Sequence, residues 1–300
     1  MRRRAFSLTA TLAVLSAGVL VGCSPLQPAD SCISPFGPGP LSDSVSIAGD
    51  SASTLRVSLN EGSSVFAAQR SVISEATNRG AVVTEGAIVG ANVAYIDSVT
   101  GEVLEVSPTF GTGEGDALFL ANAQSSAIVA GTLCAAVGDT LAIALSADES
   151  AAMGMLDGSL VTVVEVVSAN EPRAHGAHRL LPSGFPAVAI NDQGQPGVVL
   201  PPQQAPSEVR SALRIEGTGD IVAADQSVIG NVLTVSWSGA ELKNTWPQGP
   251  QSFGTEEQAV QAGASFRSQL TGYPVGSQVV VIEPGDGGAT VSVVDILAVA

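Results

Sequence analysis

Lysine is nearly missing from this chain: Lys243 is its single lysine, and Lys and Arg together number 12 against 28 Asp and Glu. A surface so poor in cations cannot track a phosphate backbone, so nucleic acid is excluded as a partner. Histidine occurs only at His175 and His178, next to Arg173 and Arg179 and away from any cluster of carboxylates or thiols. Metal ions take three or four ligands, so no metal site is expected there, and no coenzyme is implied. Cysteine is scarce as well, at three residues, and each of the three has a separate reading.

The first cysteine belongs to a leader. Met1, Arg2, Arg3 and Arg4 precede a mostly apolar run, Ala5 to Gly22, that contains no acid and no further base and ends in Leu20, Val21, Gly22, Cys23. The run is short, broken by Ser7, Thr9, Thr11 and Ser16, and stops at small residues beside a cysteine. This is the pattern of an export signal of residues 1–22 with a lipobox rather than of a transmembrane anchor. The chain is therefore expected to be an exported bacterial lipoprotein, cut before Cys23 and held by lipid on that thiol at the extracytoplasmic face of the cell membrane. More than one acyl chain makes such anchoring stable. Cleavage would leave nine bases against 28 acids, a net charge of −19. The other two cysteines, Cys32 and Cys134, are expected to pair in an oxidising compartment, the alternative being one free thiol in a tail and one packed in a core.

Residues 23–40 carry Pro25, Pro28, Pro35, Pro38 and Pro40 and read as an extended spacer. Residues 41–170 alternate apolar and polar positions, or run in short Val- and Ile-rich blocks such as Leu160 to Val167, which are strands parted by Gly and Asp turns. A second proline-rich stretch, 171–210, reads as a connector unsuited to helix or sheet interior. Strands return in 211–300 around one predicted helix, in which Thr255 and Gln258 form a capping box and Ala259, Ala262, Gly263, Phe266 and Leu270 share a face. The halves also match each other. Leu160 to Val167 answers Thr290 to Leu297 at an offset of 130, Leu133 before Val137 and Gly138 answers Leu270 before Val275 and Gly276, and Val93 to Tyr95 answers Val235 to Trp237. Three matches in order indicate two related domains.

Several C-terminal pieces carry a resemblance: Val235, Ser236, Trp237, Ser238, Gly239; then Thr245 to Phe253; Phe266 four residues before Leu270; Val275, Gly276, Ser277, Gln278, Val279; and the closing strand Val291 to Leu297. This half resembles the FKBP-type peptidyl-prolyl cis-trans isomerases, in the tandem-domain lipoprotein form of actinobacteria. The resemblance implies an α+β fold of two FKBP-like domains, each an antiparallel β-sheet wrapped around a short helix, with an apolar pocket between sheet and helix. By the same resemblance Phe266 is the pocket floor, Trp237 a wall and Asn244 its polar edge, with Trp246, Phe253 and Leu270 completing the substrate pocket.

The site is degenerate relative to that family. Asn244 replaces an Asp, Ser292 an aromatic, and only Pro284 to Ala289 stand where the family has a longer loop. In residues 41–170 only Tyr95 and Phe110 are candidate pocket aromatics, so that domain is expected to be structural or interaction-only. The implied function is a membrane-anchored isomerase, weakly active, acting on prolyl segments of exported proteins. The alternative is a catalytically inactive FKBP-like chaperone or scaffold that binds peptides or envelope partners.

Overall fold

A computed structural model of the chain describes residues 32–300 apart from 61, 64, 156, 157, 263 and 286. The leader, Cys23 and the first half of the spacer lie outside the described residues. Two main antiparallel sheets, two two-stranded ribbons and short helices make up the described chain. Cys32 and Cys134 are both disulfide-bonded.

A two-stranded ribbon comes first, β1 (Ser46–Ala48) with β2 (Arg56–Ser58). The first sheet follows, from β3 (Gln69–Ser74), β4 (Ile88–Asp97), β5 (Val103–Val106), β6 (Ala117–Leu120), β7 (Thr140–Leu145) and β8 (Leu160–Asn170). Its order is β3-β7-β8-β4-β5, with β6 also on β4. Helix α1 (Ala127–Gly131) lies between β6 and β7, and α2 (Ala147–Ala152) between β7 and β8. The pattern then starts again. After β9 (Ala177–His178) comes a second ribbon, β10 (Ala187–Ile190) with β11 (Pro196–Val199). Next are β12 (Arg210–Glu216), β13 (Val228–Ser236), β14 (Glu241–Asn244), β15 (Gln251–Ser252), helix α3 (Glu256–Gln261), β16 (Gln278–Glu283) and β17 (Thr290–Val299). The second sheet runs β14-β13-β17-β16-β12-β9, with β15 on β13.

The repeat is real down to the register, but its offset on one strand differs from the sequence expectation. Each central pair carries one bulge, between Gly90 and Ala91 opposite β8 and between Ile229 and Gly230 opposite β17. Beyond it Asn92 faces Glu165 and Asn231 faces Asp295, and Tyr95 faces Thr162 as Thr234 faces Ser292. The offset of 130 between β8 and β17 therefore stands. Tyr95, however, answers Thr234 and not Trp237. At the second bulge no side chain fits, because a Cβ on Gly230 would lie 2.0 Å from the Asp295 carbonyl oxygen.

Both sheets are buried on both faces, which is why their central strands read as near-continuous apolar runs. On β8, Leu160, Val164 and Val166 join the core under α1, with Ile128 and Leu133. Val161 and Val163 turn the other way, onto Leu41, Val45, Leu55, Val65 and Phe110 from the residues around the first ribbon. On β17, Val294 and Ile296 meet Phe253, Phe266 and Leu270, whereas Val291 and Val293 meet Phe185 and, at its margin, Val188 and Val198 of the second ribbon. Each buried Val, Leu or Ile contributes about 1.5–3 kcal/mol. The proline-rich stretch 171–210, expected as a plain connector, is thus the cover of the second sheet's outer face. Its prolines are tolerated because Pro196 opens a ribbon strand instead of sitting within the sheet. The sheets themselves meet through Ile88, Leu297 and Ala298, with Leu118 and Ile229 against them.

The expected continuous helix is also corrected. Its capping box forms, with Thr255 and Gln258 bonded reciprocally, but the α-helix ends at Gln261 and a 3₁₀ turn, Ser265–Leu270, follows. The cause is Arg267, fully buried, whose guanidinium donates to the carbonyls of Gly254, Ala223 and Gln226. With three residues per turn, Arg267 and Leu270 eclipse one another and are both buried.

The cover is tied down at Asp295, 1% exposed, which accepts the Ala174 N–H at 2.8 Å and the Gln278 amide at 2.7 Å. Burial pushes its carboxyl up to about 6, with the Ala174 and Gln278 hydrogen bonds and the Arg214 charge pulling it back. An unfolded Asp titrates near ~3.9, so between these values the folded chain holds the extra proton. The contribution of this group is greatest below about pH 4 and is lost as pH rises through about 6, on the order of 3 kcal/mol in all. Asp295→Asn should therefore melt higher than the parent at neutral pH and level with it near pH 4. Thermal melts across that range check this, and equal melting at neutral pH would show that the buried charge costs nothing.

Candidate functional site

A cavity of about 470 Å³ opens where α3 and the 3₁₀ turn cross the end of the second sheet. Period-two alternation decides what reaches it. Thr234 of β13, Lys243 of β14, Glu283 of β16, and Thr290 and Ser292 of β17 point to this face, and Phe266 closes it from the helical side. Pro284, Gly285 and Gly288 of the short β16–β17 hairpin form the rim.

Phe266 is 5% exposed and meets Phe253 edge to face, with ring centroids 5.3 Å apart and planes at 82°. Such a pair is worth about 0.5–1.5 kcal/mol beyond its buried area. The opposite wall is polar. The Thr234 and Ser292 hydroxyls share a hydrogen bond of 2.9 Å, and the Lys243 ammonium stands 5.9 Å from the Phe253 ring centroid. The chain's single lysine and a glutamate therefore border a hollow with one aromatic in its lining.

Of the catalytic and pocket residues implied by the resemblance, only Phe266 lines this cavity; Ser292 and the Pro284 loop, noted as departures, line it too. Phe253 and Leu270 support it from the core behind. Trp237 and Trp246 are on the opposite face of the sheet, packed with Phe185, Leu233 and Val235 beneath the ribbon cover. The Trp237 indole donates to the Gln203 carbonyl at 3.0 Å, and the buried Trp246 indole nitrogen has no partner. Asn244 pairs with Leu233 and so follows that outward face. Its side chain accepts the Trp246 N–H at 3.1 Å and donates to Glu241, closing a turn and touching no cavity.

The expected wall of Trp237 facing Phe266 is therefore corrected: the strand carries them to different cores, and Thr234 takes the wall position. The signal that could have found it was the second repeat's own alignment. Asn92 and Asn231 share a cross-strand acidic partner, and counting three residues on from each reaches Tyr95 and Thr234. In the first sheet, Tyr95 packs on the α1 core together with Met153 and Met155, whereas Phe110 packs on the other face. Tyr95 is half-buried, and burial, then Glu105, raises its phenol's pKa.

Among the described residues, no group of three or more His, Cys, Asp or Glu could hold a metal ion, and no helix is long and apolar enough to cross a membrane. The cavity's chemistry is hydrogen bonding and charge: an ammonium and hydroxyls for carbonyl or carboxylate oxygens, and the Glu283 carboxylate for N–H groups. Removing the Phe266 ring should cost about 3–5 kcal/mol, because the Phe253 edge loses its partner and a void opens in the core. Lys243→Gln, on the exposed strand edge, should shift stability by less than about 0.5 kcal/mol. Urea unfolding of the parent and both variants tests this, and a near-neutral Phe266→Ala would mean that the ring is not a packing element.

No family model and no curated protein matches the sequence. Among solved structures the chain is similar to the three FKBP domains of wheat FKBP73, at 14% identity and a TM-score of 0.32, over 78% of this chain and 94% of that one.

Proposed function

We propose that the chain is an FKBP-like, lipid-anchored protein of the extracytoplasmic membrane face that binds extended peptide segments of exported proteins at the Phe266 cavity, with little or no isomerase activity. The sequence resemblance supports the family, and the leader of residues 1–22 followed by Cys23 supports the anchor. The observation that carries the choice of binding over catalysis is the polar lining of the cavity. Rotation about X-Pro meets a barrier of about 18–20 kcal/mol, because the planar amide loses resonance. A dry aromatic box favours the twisted, less polar amide, and each 1.36 kcal/mol removed is roughly tenfold in rate. Here Thr234, Ser292, Lys243 and Glu283 surround the hollow. These groups favour the planar, strongly dipolar amide at least as well as the twisted one. Ground-state binding of that kind does not raise the turnover rate.

The second reading, a weak isomerase, rests on Phe266, which keeps an apolar surface in the cavity, backed by the Phe253 edge. Binding of a dye-labelled proline peptide to the whole chain, followed by anisotropy, together with a protease-coupled isomerisation assay, separates the two. Intrinsic tryptophan emission would be a poor reporter, because both indoles are on the other face. The expected result is saturable binding that weakens roughly tenfold in Lys243→Gln, the scale of one charge-assisted hydrogen bond, without acceleration. Acceleration abolished by Phe266→Ala establishes the enzyme instead, and absence of binding removes both. For the anchor, a radiolabelled fatty acid fed to expressing bacteria should mark the parent and not Cys23→Ser. Label retained by the variant would refute acylation at that thiol.

A further inference from the structure

A second cavity, of about 400 Å³, lies between the start of the proline-rich cover and the second sheet. Its lining includes Arg173, His175 and His178 from the cover and Arg214 from β12, with Gln278 and Asp295 at the base and Glu171 at the edge. Both histidines of the chain and two of its 12 Lys and Arg are thus at one hollow, in a protein of net charge −16.

None of these cations is spent on an ion pair. Among the described residues the pairs within salt-bridge distance are Arg79 with Asp139 and Arg179 with Glu216. Arg214 instead donates to the Gln278 side-chain oxygen at 2.7 Å, and Gln278 in turn donates to Asp295. That relay leaves guanidinium N–H groups of Arg214 uncommitted and fixes the side chain in place. The Asp295 carboxylate, which would otherwise be its natural partner, is already occupied by Gln278 and the Ala174 N–H. The hollow thus holds two guanidiniums and two carboxylates, Glu171 at the edge and Asp295 at the base, with neither arginine within salt-bridge distance of an acid.

We propose that this cavity is a binding site for a small oxyanion, a carboxylate or phosphate group, held by Arg214 and Arg173 with the two imidazoles beside them. Guanidinium forks match planar carboxylates and phosphate oxygens, and the volume suits a small ligand rather than a folded partner. The hairpin turn of the ribbon, at Asn191 and Gly194, forms part of the wall, so an occupant would bridge cover and sheet. The titratable and charged groups facing the hollow are Glu171, Arg173, His175, His178, Arg214 and Asp295, and acidification through about pH 6 removes the negative charge of Asp295.

The test is titration of the whole chain with inorganic phosphate and, separately, with succinate, by calorimetry and by ligand-induced thermal shift at about pH 5.5 and about pH 8. Binding is expected for at least one of the two anions, tighter at the lower pH, and weakened tenfold or more in Arg214→Gln. Because Arg214 is half-buried, the exposed Arg173→Gln is the second variant; it should melt as the parent does and still lose several-fold in affinity. The anion that binds better identifies whether the natural ligand presents phosphate or carboxylate. No binding of either anion at either pH, or binding unchanged in both variants, overturns the site. The outcome does not depend on the Phe266 cavity, which Lys243→Gln probes separately.

Discussion

Everything in the second sheet depends on the antiparallel pairing of β13 with β17, a long central ladder buried on both sides. A strand sends successive side chains to opposite faces, so every residue on that ladder is assigned to one of two cores by parity alone, with one bulge at Gly230 resetting the count. Thr234 and Ser292 go to the side where Phe266 closes the cavity, and Val235, Val291 and Val293 go to the side covered by the ribbon. The same ladder, β4 with β8, sorts the first sheet, and the Asn92–Glu165 and Asn231–Asp295 pairings, with both asparagines buried, occupy matching places in it.

Because both faces are covered, the repeating unit is larger than a sheet and a helix. It is a two-stranded ribbon, then the sheet, then the helix laid on the far face. In the first repeat the cover comes from the residues around β1 and β2, and in the second from the proline-rich stretch around β10 and β11. Proline is suited to this work: it stiffens an extended cover and is harmless on strands that pair only with each other. The difference between the repeats lies between the last two strands, where the first carries α2 and the second only a tight hairpin. The longer insertion brings Met153 into the core beside Tyr95, and the shorter one leaves the Phe266 cavity open at its rim.

Much of the architecture was legible in the amino-acid order. The Val-rich blocks mark the strands, Thr255 with Gln258 marks the helix start, and the offset of 130 marks the repeat. The helix end was not legible, because it depends on Arg267 finding carbonyls from Ala223, Gln226 and Gly254, residues up to 44 positions away. For the candidate site, Phe266 was legible as the aromatic of an apolar helix face. Its neighbours were not: matching Val-Ser-Trp by similarity of letters placed Trp237 three residues from the true counterpart of Tyr95, and an odd displacement on a strand moves a side chain to the other face.

Composition and local pattern by themselves determined the acidic, lysine-poor character of the chain, its strand-rich halves and their kinship, since these depend on residue type and on neighbours in the chain. Tertiary structure alone decided which aromatic enters the cavity, that the proline-rich stretch is a cover, and that both histidines line one hollow with Arg214 and the buried Asp295. The reason is that burial and pairing are set by partners far apart in sequence, and on a sheet covered on both faces an apolar residue looks the same whichever core it enters.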